Sequence, residues 1–421
     1  MRYEVRMLPP IVRSLLEVDF YKFTMMQLAW LKHKSTRARF GFKNRTNIIL
    51  PLTIDVAELK RQHEYVRTLR FQSDELAYIA GLQNPNKGNR PLFQDGFLKA
   101  LEKLRLPPIS VQISEDGRSF EIETEGKWYQ ASLWETIIMN VVNRLYYLSG
   151  VVGQYGVDEK AVLEEGRRRL RWKIEILKRH PSLRFADFGL RRRWSADWQE
   201  EVLRTLRDEV SEQLLGTSNT YLAYRLGMRP IGTFAHELDM VYQGVCQVFD
   251  QRRLMSHELL LNDWWNLYGS HLSIALSDTY GSDYFIRTFG RDRASRWIGT
   301  RQDSGDPIAY GEKMIRMYEG YGIDPAGKLV VFSDGLDVDQ MVRIHDHFKG
   351  RLMTTFGWGT NLTNDLGHSA LSIVVKAQEV DGFPLVKLSD NLAKAMGPME
   401  AIERIKRLAG YKDGTFEECR Y

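Results

Sequence analysis

The chain has 421 residues, 43% of them hydrophobic and 27% charged, so it is long enough for two to three domains and has the composition of a globular protein with a sizeable core. Lys plus Arg exceed Asp plus Glu by 59 − 54 = 5, an excess that suits small anionic substrates as well as nucleic acid and excludes neither. The two cysteines, Cys246 and Cys419, lie far apart with no CxxC spacing, which excludes a disulfide framework and a cysteine zinc site and points to a reducing compartment.

In chain order, the first 27 residues contain acids and prolines and no apolar h-region, and no run reaches the ~18 apolar residues of a spanning helix, so the chain reads as cytoplasmic, with no membrane segment. Residues 1–140 read as α+β structure, with strand-like pieces at TRARFGFKNR and SFEIETEG. Asn84–Pro91 (NPNKGNRP) concentrates turn formers and is an exposed turn or loop. Leu133 to Leu148 has apolar residues at helical spacing and is a buried helix. Asp158 to Arg179 is a helix, strongly basic from Glu164; it reads as a solvated face with Leu, Ile and Trp turned inward, because Trp172 is its only aromatic and no stacking platform is interleaved.

From residue 184 the texture changes. RFADFGLR, RPIGTFAHE, LSIALSDTYG, RWIGTRQDSGD, KLVVFSDG and RLMTTFGWGT are short apolar runs ending in small or polar residues, several separated by helix-length segments (Ala196–Leu214, Ile308–Tyr321, Val338–Phe348). Strands alternating with helices imply βαβ units and a parallel sheet, and the number of repeats favours closure into a barrel over residues 141–370. In such sheets, polar residues just past the C-terminal strand ends line the active site. After residue 370, LSIVVKAQEVDGFPLVKLSD reads as a hairpin turning at Asp381-Gly382, with a helical tail to 421.

Several of these strand ends carry chemistry. FGWGTNLT offers Gly357 and Gly359, whose backbone N–H groups can approach an anion closely, and the Thr360 hydroxyl; a plain turn is the competing reading. FSDGLD places Asp334 beside Gly335. In TRQDSGDP, Asp306 and Pro307 are accounted for by an N-cap opening a helix, whereas Arg301 and Asp303 are not. A guanidinium there suits carboxylate or phosphate, and Asp303 suits ribose hydroxyls or a hydrated magnesium ion. The three arginines of FGLRRR cannot all face a core, and read either as an anion clamp or as a solvated charge run. GTFAHE brings Thr233 and His236 to the same face as SDT, whose Asp278 can orient an imidazole for proton transfer or for attack on a phosphoryl group. There is no P-loop, kinase motif set or HExxH, so phosphorylated-sugar chemistry is the best-supported class.

DFYKFTM, FKNRT, DFGLRRR, GTSN, IGTFAHE, ALSDTY, RQDSGDP, VFSDGLD and FGWGT, in that order, resemble the nicotinate phosphoribosyltransferase family over nearly the whole chain. The resemblance implies an irregular α/β barrel with an N-terminal α/β domain (residues 1–140) completed by C-terminal segments (371–421), and a homodimer with shared sites. It implies the substrates nicotinate, phosphoribosyl pyrophosphate and ATP, with Mg²⁺, and a transient phosphohistidine at His236 with Asp278 as its hydrogen-bond partner. Tyr21, entering from the neighbouring subunit, and Phe188 would sandwich the pyridine ring, and Arg301 with Thr233 would contact nicotinate. Arg191 would hold pyrophosphate; Gly335, Gly359 and Thr360 the 5-phosphate; Asp303 and Asp334 the ribose; and Lys43 and Arg45 would donate to phosphate from the partner subunit. A nicotinamide-using relative is the neighbouring alternative, since both branches carry an arginine before DSG. A barrel metal-dependent hydrolase would need clustered histidines such as HxH on a strand; HDH at His345–His347 lies in a helical segment instead. A nucleic-acid binder would have to use the arginine-rich helix.

Overall fold

Along Phe120–Lys127 the buried positions are Phe120, Ile122, Thr124 and Gly126, the alternation required of a strand with one face on a core and the other toward water. The computed structural model describes residues 8–246, 255–412 and 414–416, so Cys419 and the first seven residues fall outside it. Its main strands are β1 (Arg37–Asn44), β2 (Ile109–Ile113), β3 (Phe120–Lys127), β4 (Phe185–Asp187), β5 (Leu214–Thr217), β6 (Ile274–Leu276), β7 (Gly299–Gln302), β8 (Leu329–Phe332), β9 (Met353–Trp358), β10 (Ile373–Val380) and β11 (Phe383–Pro384). They form two sheets, an antiparallel one in the order β11-β10-β1-β3-β2 and a parallel one in the order β5-β4-β9-β8-β7-β6. The Asn84–Pro91 loop is a small hairpin in which Gln83–Asn84 pairs with Arg90–Pro91.

The first sheet joins the two ends of the chain. Ala38 pairs with Val380 and Asn44 with Ile373, so β10 completes the N-terminal sheet. The hairpin turns where expected: Asp381 and Gly382 have φ of 46° and 83°, the left-handed pair that a tight two-residue turn demands. The segment beyond 371 nevertheless divides. The helix Met399–Ala409 packs Ile402, Ile405 and Ala409 onto Tyr280 and Tyr284 beside the parallel sheet, rather than returning to the N-terminal part.

Around the parallel sheet, the helices Ala196–Glu209, Pro307–Gly320 and Val338–Phe348 open on Ser195, Asp306 and Asp337, whose side chains accept from the N–H groups of Trp198, Ala309 and Gln340. Two strand expectations change. Leu214–Thr217, not anticipated, is β5, and RPIGTFAHE is not a strand. The latter crosses the opening between the edge strands β5 and β6: Ile231 N donates to the Thr217 carbonyl at 2.9 Å and Thr233 Oγ1 to the Ile274 carbonyl at 3.5 Å. Pro230 has no N–H for a ladder, and Gly232, at φ 148°, lies so close to Tyr21 that an added Cβ would meet its backbone N at 3.2 Å. The barrel is therefore closed by irregular backbone, and the helix His236–Val245 starts directly from it.

The buried helix Trp134–Leu145 continues as a π-helical stretch to Gln154, past the expected end. The basic helix Glu159–Arg179 turns Leu170, Ile174 and Leu177 inward, while its arginines pair along the surface: Arg167 with Glu201, Arg168 and Arg169 with Glu165. Trp172 is 49% exposed, a correction to the inward reading; position 172 lies opposite the 170–174–177 stripe on a helical wheel. Among the described residues no helix is long and apolar enough to cross a membrane.

Candidate active site

The parallel strands end together, and the residues that follow β4, β7, β8 and β9 wall a single cleft. It is lined by Phe188 and Arg191 after β4, Arg301 and Asp303 at the end of β7, Asp334 and Gly335 after β8, and Gly359 and Thr360 after β9, together with Tyr21, Arg45 and His236. His236 thus shares one cavity with Arg191, Arg301 and Thr360. Lys43 and Arg45 part ways: Lys43 is exposed on β1, whereas Arg45 is on the lining. Thr233 and Asp278 stand outside it, and the Thr233 carbonyl accepts from Thr24 Oγ1 at 2.8 Å.

The arginine triplet splits by direction. Arg193 is 2% exposed and paired with buried Glu17, while Arg191 and Arg192 face the cleft. Arg191 Nε donates to Asp19 at 2.9 Å, and its guanidinium lies 5.6 Å from the centre of the Tyr21 ring, whose hydroxyl donates to the same Asp19 carboxylate at 3.1 Å. Tyr21 and Arg45 therefore both line the cleft of their own chain. Phe188 forms another part of the wall, its ring over Gly357, where an added Cβ would meet it at 3.4 Å.

His236 is 2% exposed and opens its helix, with its ring held at both nitrogens. Nε2 lies 2.9 Å from Asp303 Oδ2, and Nδ1 lies 2.9 Å from Thr279 Oγ1, itself 3.0 Å from Asp239 Oδ2. The expected hydrogen bond from the imidazole to Asp278 is not made. Its Oδ1 stands 3.5 Å from Nε2, and its Oδ2 accepts from Ser304 at 2.5 Å and Ser389 at 3.2 Å. β7 and β6 are neighbours, so both aspartates reach the imidazole, but Asp303 on the cleft side has the closer line. Burial, with Lys387 adding to it, pulls the His236 pKa down against the opposing Asp278 and Asp303, so the imidazole is neutral near pH 7. Burial pushes the Asp303 carboxyl up, but Arg301 and His236 outweigh it and hold the group well below its ordinary range. Asp334, by contrast, is raised by burial despite Lys394, which donates to it at 2.5 Å.

Sequence reading missed three lysines. Lys376 on β10, then Lys387 and Lys394, come from the C-terminal segment and bring the lining to seven basic side chains (Arg45, Arg191, Arg192, Arg301 and these three) against two carboxylates, Asp303 and Asp334. Lys387 is pushed down to about 8, chiefly by burial, with Asp278 and Asp303 opposing. No local motif marks these lysines; their only sequence signal is a cation within an otherwise buried run such as LVKLS. Such a surplus in a concave site calls for a multiply charged anion.

His236, Asp278 and Asp303 offer ligand atoms within 4.8 Å of one another, and Asp278 Oδ1 is buried without a partner. The two carboxylates suit a hydrated Mg²⁺, which prefers oxygen, and do not require the imidazole as a ligand.

A parallel α/β barrel whose C-terminal strand ends wall a cleft lined by seven cations, two carboxylates and a buried histidine has the makeup of an enzyme acting on a phosphorylated substrate. Residues 183–417 match the nicotinate phosphoribosyltransferase (NAPRTase) family and residues 16–143 match its N-terminal domain. Among solved structures, the nicotinate phosphoribosyltransferase of Vibrio cholerae is 31% identical, with a TM-score of 0.85 over 96% of this chain and 95% of that one. That of Porphyromonas gingivalis is 29% identical, with a TM-score of 0.83 over 95% of this chain and all of that one. The chain belongs to the nicotinate phosphoribosyltransferase family.

Proposed function

We propose that the enzyme joins nicotinate to phosphoribosyl pyrophosphate, releasing pyrophosphate and nicotinate mononucleotide, and couples the transfer to ATP through a phosphoryl group carried on His236. The observation that carries this reading is His236, held 2.9 Å from Asp303 within the cation-lined cleft. In the coupling step the unprotonated ring nitrogen attacks the γ-phosphorus of ATP as the bond to ADP breaks, the remaining ring N–H stays hydrogen-bonded to a carboxylate, and water later cleaves the phosphorus–nitrogen bond to release phosphate. In the transfer step the pyridine nitrogen bonds to the anomeric carbon as the carbon–oxygen bond to pyrophosphate breaks. That nitrogen is already unprotonated at neutral pH, so no strong base is needed. Catalysis rests on positioning and on charge stabilisation by Arg191, Lys376 and Lys387. When bound, Mg²⁺ would neutralise part of the diphosphate charge, held on the Asp303 side of the cleft.

Tyr21 and Phe188 face the same space and would hold the pyridine ring, with Arg301 taking its carboxylate. Gly335, Gly359 and Thr360 would hold the 5-phosphate, and Asp303 and Asp334 the ribose. Asp278, buried behind the histidine, would act on it by charge. The family reading carries with it a homodimer and a cytoplasmic setting.

The test offers nicotinate or nicotinamide with phosphoribosyl pyrophosphate, with and without ATP, to the wild type and to His236→Ala. The wild type should form nicotinate mononucleotide faster with ATP and incorporate its γ-phosphate. The variant should keep the slower ATP-independent reaction and incorporate none. Undiminished incorporation in His236→Ala would remove the phosphohistidine, and a preference for nicotinamide would reassign the substrate.

A further inference from the structure

Behind the cleft lie three buried charges, Lys22, Glu135 and Glu237, that none of the steps above uses. Lys22, fully buried, sits between two carboxylates: it forms an ion pair with Glu135 and another, at 2.6 Å, with Glu237. Glu237 Oε1 also accepts from Trp128 Nε1 at 2.8 Å, so its second oxygen is fixed. Glu135 spends its other oxygen on the cleft: Oε1 accepts from Lys376 Nζ at 3.0 Å and stands 3.6 Å from Arg191 Nη1. One buried carboxylate therefore touches three cations, two of which line the cleft while the third does not.

The elements involved share no local sequence. Lys22 follows Tyr21 on the first helix, Glu135 is on the buried helix Trp134–Leu145, Glu237 follows His236, Lys376 is on β10, and Arg191 is in the turn after β4. Left alone, Lys376 and Arg191 would repel each other and be drawn toward solvent. Glu135 offsets that repulsion and fixes their separation, and Lys22 in turn keeps a carboxylate stable at that depth. Burial works to raise the Glu135 pKa, but Lys22, Lys376 and Arg191 together take it far below the usual carboxylate range, so it carries its charge at all working pH values.

We infer that Glu135 is a positioning residue for the anion clamp: it sets Arg191 and Lys376 in register for the pyrophosphate of the sugar substrate, and Lys22 serves as its buried counter-charge. The inference rests on the reading that these two cations bind phosphate.

Glu135→Gln keeps the shape and removes the charge. It should raise the KM for phosphoribosyl pyrophosphate tenfold or more while changing the KM for nicotinate less than threefold. Because this variant leaves Lys22 with one carboxylate, Glu237→Gln, which does the same but touches neither Arg191 nor Lys376, is made alongside it. Glu237→Gln should lower the melting temperature to a similar degree but leave the KM for phosphoribosyl pyrophosphate within threefold of the wild type. If it raises that KM as much as Glu135→Gln does, Glu135 has only a structural role and the inference is overturned. It is also overturned if Glu135→Gln binds the sugar substrate with unchanged KM. Lys376→Ala separates the two levels: an unchanged KM there would overturn the phosphate reading itself, whereas a raised one with a normal Glu135→Gln would overturn the positioning role alone.

Discussion

Arg301 leaves β7 with Nη1 donating to the Phe234 carbonyl at 3.1 Å, Nη2 3.9 Å from Asp303, and a buried Nε without a partner. Its fork is thus only partly engaged and is held at a fixed angle toward the cleft. A charge-assisted contact to a substrate carboxylate contributes about 1.5–3 kcal/mol, so Arg301→Ala should raise the KM for nicotinate roughly ten- to a hundredfold. The KM for phosphoribosyl pyrophosphate should move much less. Steady-state kinetics with each substrate varied in turn checks this, and equal effects on both would mean that Arg301 serves the phosphates.

The strand ends act as a unit only if β7 and β8 stay close. Gly299 starts β7 opposite Leu329, and a Cβ there would lie 1.8 Å from the Leu329 carbonyl oxygen, a backbone atom that cannot swing aside. Gly299→Ala must separate the two strands, a kind of overpacking that costs about 1–3 kcal/mol. Because Arg301 and Asp303 lie two and four residues downstream, activity should fall together with melting temperature. Gly320→Ala, where nothing stands within 4 Å of the added carbon, should change neither. Thermal unfolding and turnover of the pair decide it. The helices show how far local rules reach. Asp306 caps its helix as the SGDP pattern predicts, and Trp172 turns outward because it sits off the apolar stripe, a fact the spacing already contained.

For the molecule as a whole, one continuous core joins both sheets, with the buried ion network threaded through it. Glu135, Asp278 and Asp303 all have folded-state pKa values below those of the unfolded chain, because their cationic neighbours outweigh burial. Their stabilisation is therefore fully present above the unfolded values near ~4 and is lost as pH falls through the folded ones. The melting temperature should fall as pH is lowered from about 4 toward 3, and the fall should be smaller in Glu135→Gln. Scanning calorimetry across that range checks it, and parallel profiles for the two proteins would exclude Glu135 as a contributor.

Much of the cleft was legible residue by residue. Asp303, Asp334, Gly359 and Thr360 sit at strand ends that short apolar runs announce, and a parallel sheet must bring such ends to one face. Alternation announced β1 and β3, and Asp381-Gly382 announced the hairpin, because these signals are local. Tertiary structure decided what depends on long-range pairing: that RPIGTF closes the barrel without becoming a strand, that Arg193 turns inward while its two neighbours turn out, and that Asp303 rather than Asp278 bonds the histidine. It also decided that Lys376, Lys387 and Lys394 return from the far end of the chain. A lone lysine carries no periodic signal, and its place in the cleft is set by β10 pairing with β1 more than 300 residues earlier in the sequence.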